Sequence, residues 1–233
     1  MATVKTNDEI NRLRRAAEAT QAVFARALPF VRAGVSEREL AEMMEAFALE
    51  IPGVTGLSFT PIIASGPNGA QPHAEVTDRL LEAGDLITID FGVMFDGFAG
   101  DMTRTFMLGE PTEKQRGIYE SVKRSQAAGI KAAKAGVACA ALDAVCRDLI
   151  EADGYGEYFV HTTGHGVGAE VHEDPRIGKN SEAILEAGMV VTIEPGIYIE
   201  GFGGVRIEDT ILITKTGCEV LTPEIPKDLI IIP

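Results

Sequence analysis

The hydrophobic positions of this chain change period in a fixed order and then repeat that order. Helical spacing comes first: Ile10, Leu13, Ala17, Val23 or Phe24, and Ala27 fall on one face of a predicted helix. Ahead of that stripe, Thr6-Asn7-Asp8-Glu9 is a capping box, in which hydroxyl and carboxylate satisfy the first free N–H groups. Ser36-Glu37-Arg38-Glu39, after Gly34, opens a second helix through Leu40, Met43, Met44 and Phe47, and Pro52-Gly53 breaks it. The pattern then becomes that of a strand. Leu86-Ile87-Thr88-Ile89-Asp90-Phe91 is rich in β-formers, Asp96-Gly97 is a tight-turn signal, and residues 101–108 return.

The second half predicts the same elements. Thr112 to Gln115 caps a helix through Ile118, Val122 and Ile130 that Gly136 stops, and another passes Leu142, Val145, Cys146 and Leu149 to end near Gly154. A strand from Met189 to Ile193 turns around residues 200–204 and returns over 205–213. The expectation is one α+β domain over residues 1–233, with pseudo-repeats at about 5–110 and 111–215. A curved antiparallel sheet should carry the helices on its outside.

The repetition extends to individual residues. Leu81-Glu82-Ala83-Gly84, followed by the strand ending Asp90-Phe91-Gly92, returns as Leu185-Glu186-Ala187-Gly188 and a strand ending Glu194-Pro195-Gly196. Asp90 and Glu194 stand 104 residues apart, and the same offset lays Gly97, Phe98 and Gly100 on Gly201, Phe202 and Gly204. A further acid follows in each copy, Asp101 and Glu208. Asp90 interrupts an apolar strand, where an ionised carboxylate is costly unless paired or metal-bound. Backbone donors at a strand end could satisfy one such acid; four in equivalent places indicate a metal site on a pseudo-twofold axis.

Histidine adds to this picture. Of only four in the chain, His161, His165 and His172 share one Gly-rich stretch, and His73 lies in the loop Ser65-Gly66-Pro67-Asn68-Gly69-Ala70-Gln71-Pro72-His73-Ala74. Carboxylates with an imidazole select hard or borderline divalent ions, Mn²⁺ or Co²⁺ ahead of Zn²⁺ or Fe²⁺. There are ligands enough for two ions, and a metal pair activates water and polarises a carbonyl, which is chemistry for hydrolysis. Gly164-His165-Gly166-Val167-Gly168 has suggestive glycines but neither a phosphate-binding lysine nor a strand–helix frame, and no G-x-S-x-G elbow is present.

Composition narrows the partners. The net charge of −14 argues against nucleic acid or an anionic membrane surface, and no apolar run approaches the ~20 residues that span a bilayer. Cys139 and Cys146 are seven apart on a predicted helix, about 10 Å along its axis, too far for a disulfide. With Cys218 they read as reduced thiols, so a cytoplasmic location is expected.

Asp90, Asp101, His165, Glu194 and Glu208, in that order and context, resemble the ligand set of the pita-bread metallopeptidases. Pro67-Asn68-Gly69-Ala70 with Pro72-His73-Ala74, Asp90-Phe91-Gly92 and Gly204-Val205-Arg206-Ile207-Glu208-Asp209 are similar to its Xaa-Pro branch, the prolidases and aminopeptidases P. The resemblance implies Asp90 on a first metal, His165 and Glu194 on a second, and Asp101 and Glu208 bridging. It implies Glu194 as proton shuttle and His73 and His172 as stabilisers of the developing oxyanion. His161, Arg176 and Arg206 become substrate-binding residues, His161 beside the proline and Arg176 on a dipeptide carboxylate. It further implies a homodimer and a proline-containing di- or oligopeptide substrate, a dipeptide by preference because of Arg176. Members of that branch carry an N-terminal domain ahead of a Lys-x-x-x-Glu-Ile helix. Here Lys5-Thr6-Asn7-Asp8-Glu9-Ile10 stands almost first, so that domain is expected to be absent. The rival readings are a metal-free peptide-binding module, which would need lost ligands, and the same site acting on a methionyl peptide or a phosphoester.

Overall fold

Three of the four helices start where a capping box was read. In the computed structural model, which describes residues 3–233, α1 runs Asn7–Ala27, α2 Glu37–Leu49 and α3 Glu113–Ala132. In α1 the Thr6 hydroxyl accepts from the Glu9 N–H at 3.3 Å and the Glu9 carboxylate accepts from the Thr6 N–H at 2.7 Å. Ser36 with Glu39 and Thr112 with Gln115 repeat the exchange. α3 ends at Ala132, ahead of Gly136, which lies in the following turn at φ +87°.

The fourth helix, α4 (Cys139–Ala152), has no capping side chain and is rotated from the predicted stripe. Leu142 and Cys146 are buried as expected, but Val145 and Leu149 are 36% and 38% exposed. Asp143, Arg147 and Ile150 take the inner positions instead. Arg147 meets Asp143 through two hydrogen bonds of 2.8 and 2.9 Å, a pairing that lets two charged residues replace apolar ones.

The first half contributes strands β1 (Val54–Leu57), β2 (Ile62–Ser65), β3 (Leu86–Phe91), β4 (Val93–Phe95), β5 (Phe98–Ala99) and β6 (Met102–Leu108). The second contributes β7 (Gly164–Gly166), β8 (Glu173–Ile177), β9 (Val190–Ile193), β10 (Gly196–Ile199), β11 (Gly203–Arg206) and β12 (Asp209–Ile213). β13 (Cys218–Val220) and β14 (Ile231–Ile232) follow. Each predicted hairpin turns out to be split. Its base strands stay in a main sheet, β14-β6-β3-β2 in one half and β13-β12-β9-β7-β8 in the other. Its tip strands leave for smaller sheets, β1-β4-β5 and β10-β11. β14 pairs with β6 in parallel, so the sheet is not antiparallel throughout.

The splits occur at Gly92 and Pro195, directly after Phe91 and Glu194. A Cβ on Gly92 would lie 1.9 Å from the Gly100 carbonyl oxygen, so only glycine lets the departing and returning chains pass there. At the hairpin tip, Asp96 and Gly97 both have positive φ, +48° and +77°, as an Asp-Gly turn predicts.

Side chains alternate along a strand, and that alternation divides core from site. Ile87, Ile89 and Phe91 enter a core with Leu40 and Met44 of α2, while Asp90 points the other way. Val191 and Ile193 pack with Val122 of α3 and Leu142 and Ile150 of α4. The helices therefore cover the outside, and the acids face inward between the halves. Cys139, Cys146 and Cys218 are free thiols. Among the described residues no helix is long and apolar enough to cross a membrane.

Candidate metal centre

The split strands deliver the acids. Asp90 lies near the end of β3, Asp101 just before β6, Glu194 just after β9, Glu208 between β11 and β12, and His165 within β7. Ligand atoms of Asp101, His165 and Glu208, all buried, lie within 4.8 Å of one another. His165 Nε2 is 3.6 Å from Asp101 Oδ2 and 3.2 Å from Glu194 Oε1. On the other ring edge, His165 Nδ1 lies 3.1 Å from the Gly166 carbonyl. A carbonyl can only accept, so Nδ1 carries the hydrogen and Nε2 faces the acids, the arrangement typical of a metal ligand.

Three of the four acids also have an outer contact. Thr103 donates to Glu208 Oε2 at 2.5 Å and Thr192 donates to Glu194 Oε1 at 3.1 Å. Arg206 donates through Nη2 to Asp90 Oδ2 at 2.7 Å. Asp90 Oδ1 is buried and has no hydrogen-bond partner. An orphaned carboxylate oxygen in a protein interior is costly, and a cation facing this group would satisfy it.

The electrostatics agree. Burial, then the charge of Glu208 and Asp90, pushes Asp101 well above the usual carboxylate range, and burial, then Glu194 and Asp90, does the same for Glu208. Asp90 is raised mainly by burial, with Arg206 pulling the other way. Glu194 is the exception: burial opposes its ionisation, yet the hydrogen bond and charge of His165 bring it down to about 2. His165 is raised in turn: burial opposes its charge, but the bond and charge of Glu194, the Gly166 carbonyl and Asp90 together overcome it. Closely packed acids that resist ionisation suit divalent cations, whose charge relieves both burial and mutual repulsion.

A cleft of about 2000 Å³ opens above these ligands, and His73, His161, His172, Arg176 and Arg206 all line it. His172 is exposed, with its ring centre 4.3 Å from that of His165. Arg176 is exposed on β8, and His73 is exposed on its loop. His161 ends a chain of hydrogen bonds. Arg206 Nη1 donates to the Tyr198 hydroxyl at 2.8 Å, that hydroxyl lies 2.9 Å from His161 Nε2, and His161 Nδ1 lies 2.8 Å from the Thr162 carbonyl. Burial lowers the His161 pKa, in keeping with a neutral ring.

Arg206 lines the cleft and is also tied into the site by several hydrogen bonds. Besides Asp90 and Tyr198 it donates to the Pro72 carbonyl at 3.2 Å and to the Thr103 hydroxyl at 3.1 Å. Its donors hold the site together from within. Tyr198, Thr103 and Thr192 were not singled out from the sequence. For the two threonines strand alternation carries the signal, since Thr103 is two residues from Asp101 and Thr192 two from Glu194. Tyr198 sits beyond the break at Pro195, where no local pattern reaches.

Residues 11–215 match the model of metallopeptidase family M24. The chain belongs to that family. It is 45% identical over 219 residues to an Xaa-Pro dipeptidase of Pyrococcus furiosus, covering 94% of this chain and 63% of that protein. It is 44% identical to an Xaa-Pro dipeptidase of Lactobacillus helveticus, covering 98% and 62%. Among solved structures, an Xaa-Pro dipeptidase from Bacillus anthracis superposes with a TM-score of 0.96 at 47% identity, over 98% of this chain and 64% of that one. A variant of Escherichia coli aminopeptidase P in complex with substrate gives 0.87 at 30% identity, over 97% and 57%. The fold is thus the α+β pita-bread fold. The chain spans a little under two thirds of the length of these relatives.

Proposed function

We propose that this chain carries the active site of a dinuclear metallopeptidase that hydrolyses Xaa-Pro bonds, dipeptides by preference. The observation that carries the reading is the partnerless Asp90 Oδ1, buried beside the Asp101–His165–Glu208 group at the floor of the cleft. The names of several M24 relatives, Xaa-Pro dipeptidases of Pyrococcus and Lactobacillus species, support the choice of substrate.

Asp90 would hold one ion and His165 and Glu194 the other, with Asp101 and Glu208 shared between them. Divalent ions held there, Mn²⁺ or Co²⁺ before Zn²⁺ or Fe²⁺, supply an acidified water and polarise the scissile carbonyl. Glu194 takes up a proton from the attacking water and returns it to the leaving nitrogen. Ionised at neutral pH, its carboxylate can accept that proton. His172 and His73, on opposite walls, donate to the oxyanion as it forms. His161, fixed by Tyr198, faces the proline, and Arg176 meets the C-terminal carboxylate. An Xaa-Pro bond has no N–H and a fixed φ, so recognition rests on shape and on that carboxylate. A homodimer in the cytoplasm completes the reading.

The decisive experiment compares Ala-Pro, Ala-Pro-Ala and Met-Ala-Ser after loading with Mn²⁺ or Co²⁺. Ala-Pro should be cleaved with the highest kcat/KM, and Arg176→Ala should lower that value roughly 10–100-fold, as loss of a charge-assisted contact does. Equal values for Ala-Pro and Ala-Pro-Ala, unmoved by Arg176→Ala, would establish an aminopeptidase P. Cleavage of Met-Ala-Ser alone would move the chain to the methionine branch.

A further inference from the structure

The segment carrying His73 runs from β2 to β3 through residues 66–85, and its regular structure is a 3₁₀ turn at Gly66–Ala70. A loop of this length needs fixed points if one of its side chains is to face a bound substrate. Glu37 supplies them. It is the first residue of α2 and fully buried, and its side chain faces the base of this loop. Oε1 accepts from the Ser65 N–H and the Ser65 hydroxyl, both at 2.7 Å. Oε2 accepts from the Asn68 amide at 2.8 Å, the Thr77 N–H at 3.0 Å and the Thr77 hydroxyl at 2.7 Å. These five donors come from both sides of His73, and the Asn68 amide also reaches across the loop to the Glu75 carbonyl at 3.1 Å. The far wall is set by Arg206 on the Pro72 carbonyl and by Gly204, where a Cβ would come within 2.2 Å of the Gly69 carbonyl oxygen.

We infer that Glu37 is a positioning residue for His73: its carboxylate gathers the two ends of the loop and thereby fixes where the imidazole enters the cleft. The sequence assigns Glu37 only to the acidic first turn of a helix, and its burial gives it this second role. The consequence for turnover rests on the proposed role of His73 at the scissile bond. Glu37→Gln replaces one acceptor oxygen with a donor, so at least one group of loop donors meets an N–H₂ and must move.

With four histidines in the chain, imidazole NMR resolves the question directly. Histidine-labelled protein loaded with diamagnetic Zn²⁺ would be compared with Glu37→Gln, the His73 signal being assigned through His73→Ala. The expected result is a shifted and broadened His73 resonance with His161, His165 and His172 in place. Thr77→Val, a milder variant that removes one donor, should move the same signal by less. An unmoved His73 signal in both variants overturns the inference, as does a collective shift of all four, which would indicate general loosening. In turnover of Ala-Pro, Glu37→Gln should lower kcat by about tenfold or more, within the ~10²–10³ that a lost oxyanion donor costs. That loss should vanish in the His73→Ala background; a fully additive loss counts against positioning. If His73→Ala leaves kcat unchanged, the catalytic role of His73 fails, and the resonance alone decides the role of Glu37.

Discussion

Asp90 and Glu194 occupy equivalent places in the two copies of one hairpin, yet their pKa values move in opposite directions. Both are largely shielded from solvent, and both sit where a strand leaves its sheet. Asp90 faces Arg206, which belongs to the other half, and keeps one oxygen without a partner. Glu194 faces His165 and Thr192 of its own half. Burial dominates for Asp90 and raises it; the imidazole dominates for Glu194 and lowers it to about 2. The duplicated backbone sets where a carboxylate stands, and its neighbours set how readily it ionises.

The bridging pair should show the largest effect, and should show it symmetrically. Asp101→Ala and Glu208→Ala are expected to reduce metal content and to remove turnover to background, each equally. Full dinuclear occupancy by elemental analysis in either variant would break the equivalence of the two copies.

A second comparison concerns the outer contacts. Arg206→Met leaves the Asp90 carboxylate buried without its charge partner and should destabilise the metal-free protein by about 3–5 kcal/mol. Thr192→Val takes from the ionised Glu194 a single hydroxyl donor, which also accepts from the His165 N–H, and should cost about 1.5–3 kcal/mol. Urea unfolding of both measures the asymmetry, and equal costs would show that Asp90 does not depend on Arg206.

His172→Ala and His73→Ala, one from each half, should each retain metal and lower kcat by ~10²–10³. Loss of metal in His172→Ala would transfer that residue to the coordination shell, from which its 4.3 Å approach to His165 does not by itself exclude it.

The pH dependence of the metal-free protein is the smallest expected effect. Asp90, Asp101 and Glu208 have raised pKa values in the fold. From the unfolded carboxylate value of about 4 up to their folded values, the native state therefore holds more protons than the unfolded chain. Stability from these groups is complete at low pH and is lost as pH rises through the folded pKa. Glu194 has the reverse sign: its contribution is present above the unfolded value and is lost as pH falls towards 2. The Tm of chelator-treated protein should thus fall as pH rises above the ordinary carboxylate range, less so in Asp101→Asn, while Glu194→Gln should lower it throughout.

Much of this was legible because it is local. The capping boxes at Thr6, Ser36 and Thr112 need only four consecutive residues, and each helix begins where its box lies. The ligand carboxylates stand out as charges in apolar strands. The misreadings come from partners distant in sequence. Val145 and Leu149 look like core until Asp143 and Arg147 are seen to pair with each other and with the carbonyls of Phe159 and His161. The split at Gly92 depends on Gly100 passing beside it, and β14 joins β6 across more than a hundred residues. Nothing local in the sequence signals that Arg206 also engages Asp90, Tyr198, Thr103 and Pro72, because the fold brings those partners to it.

The placement of the ligands bears on how the protein folds. The first half holds Asp90 and Asp101, 11 residues apart, whereas His165, Glu194 and Glu208 belong to the second. A nascent first half therefore offers a cation only two acids, too few for tight capture. Contacts closed over more than a hundred residues form late, after the loop-closure entropy between them has been overcome. On the proposed ligand set, metal capture would belong to the last stage of folding, when the two halves have docked. It would act as a thermodynamic latch, adding its binding free energy only to chains whose halves have met in register.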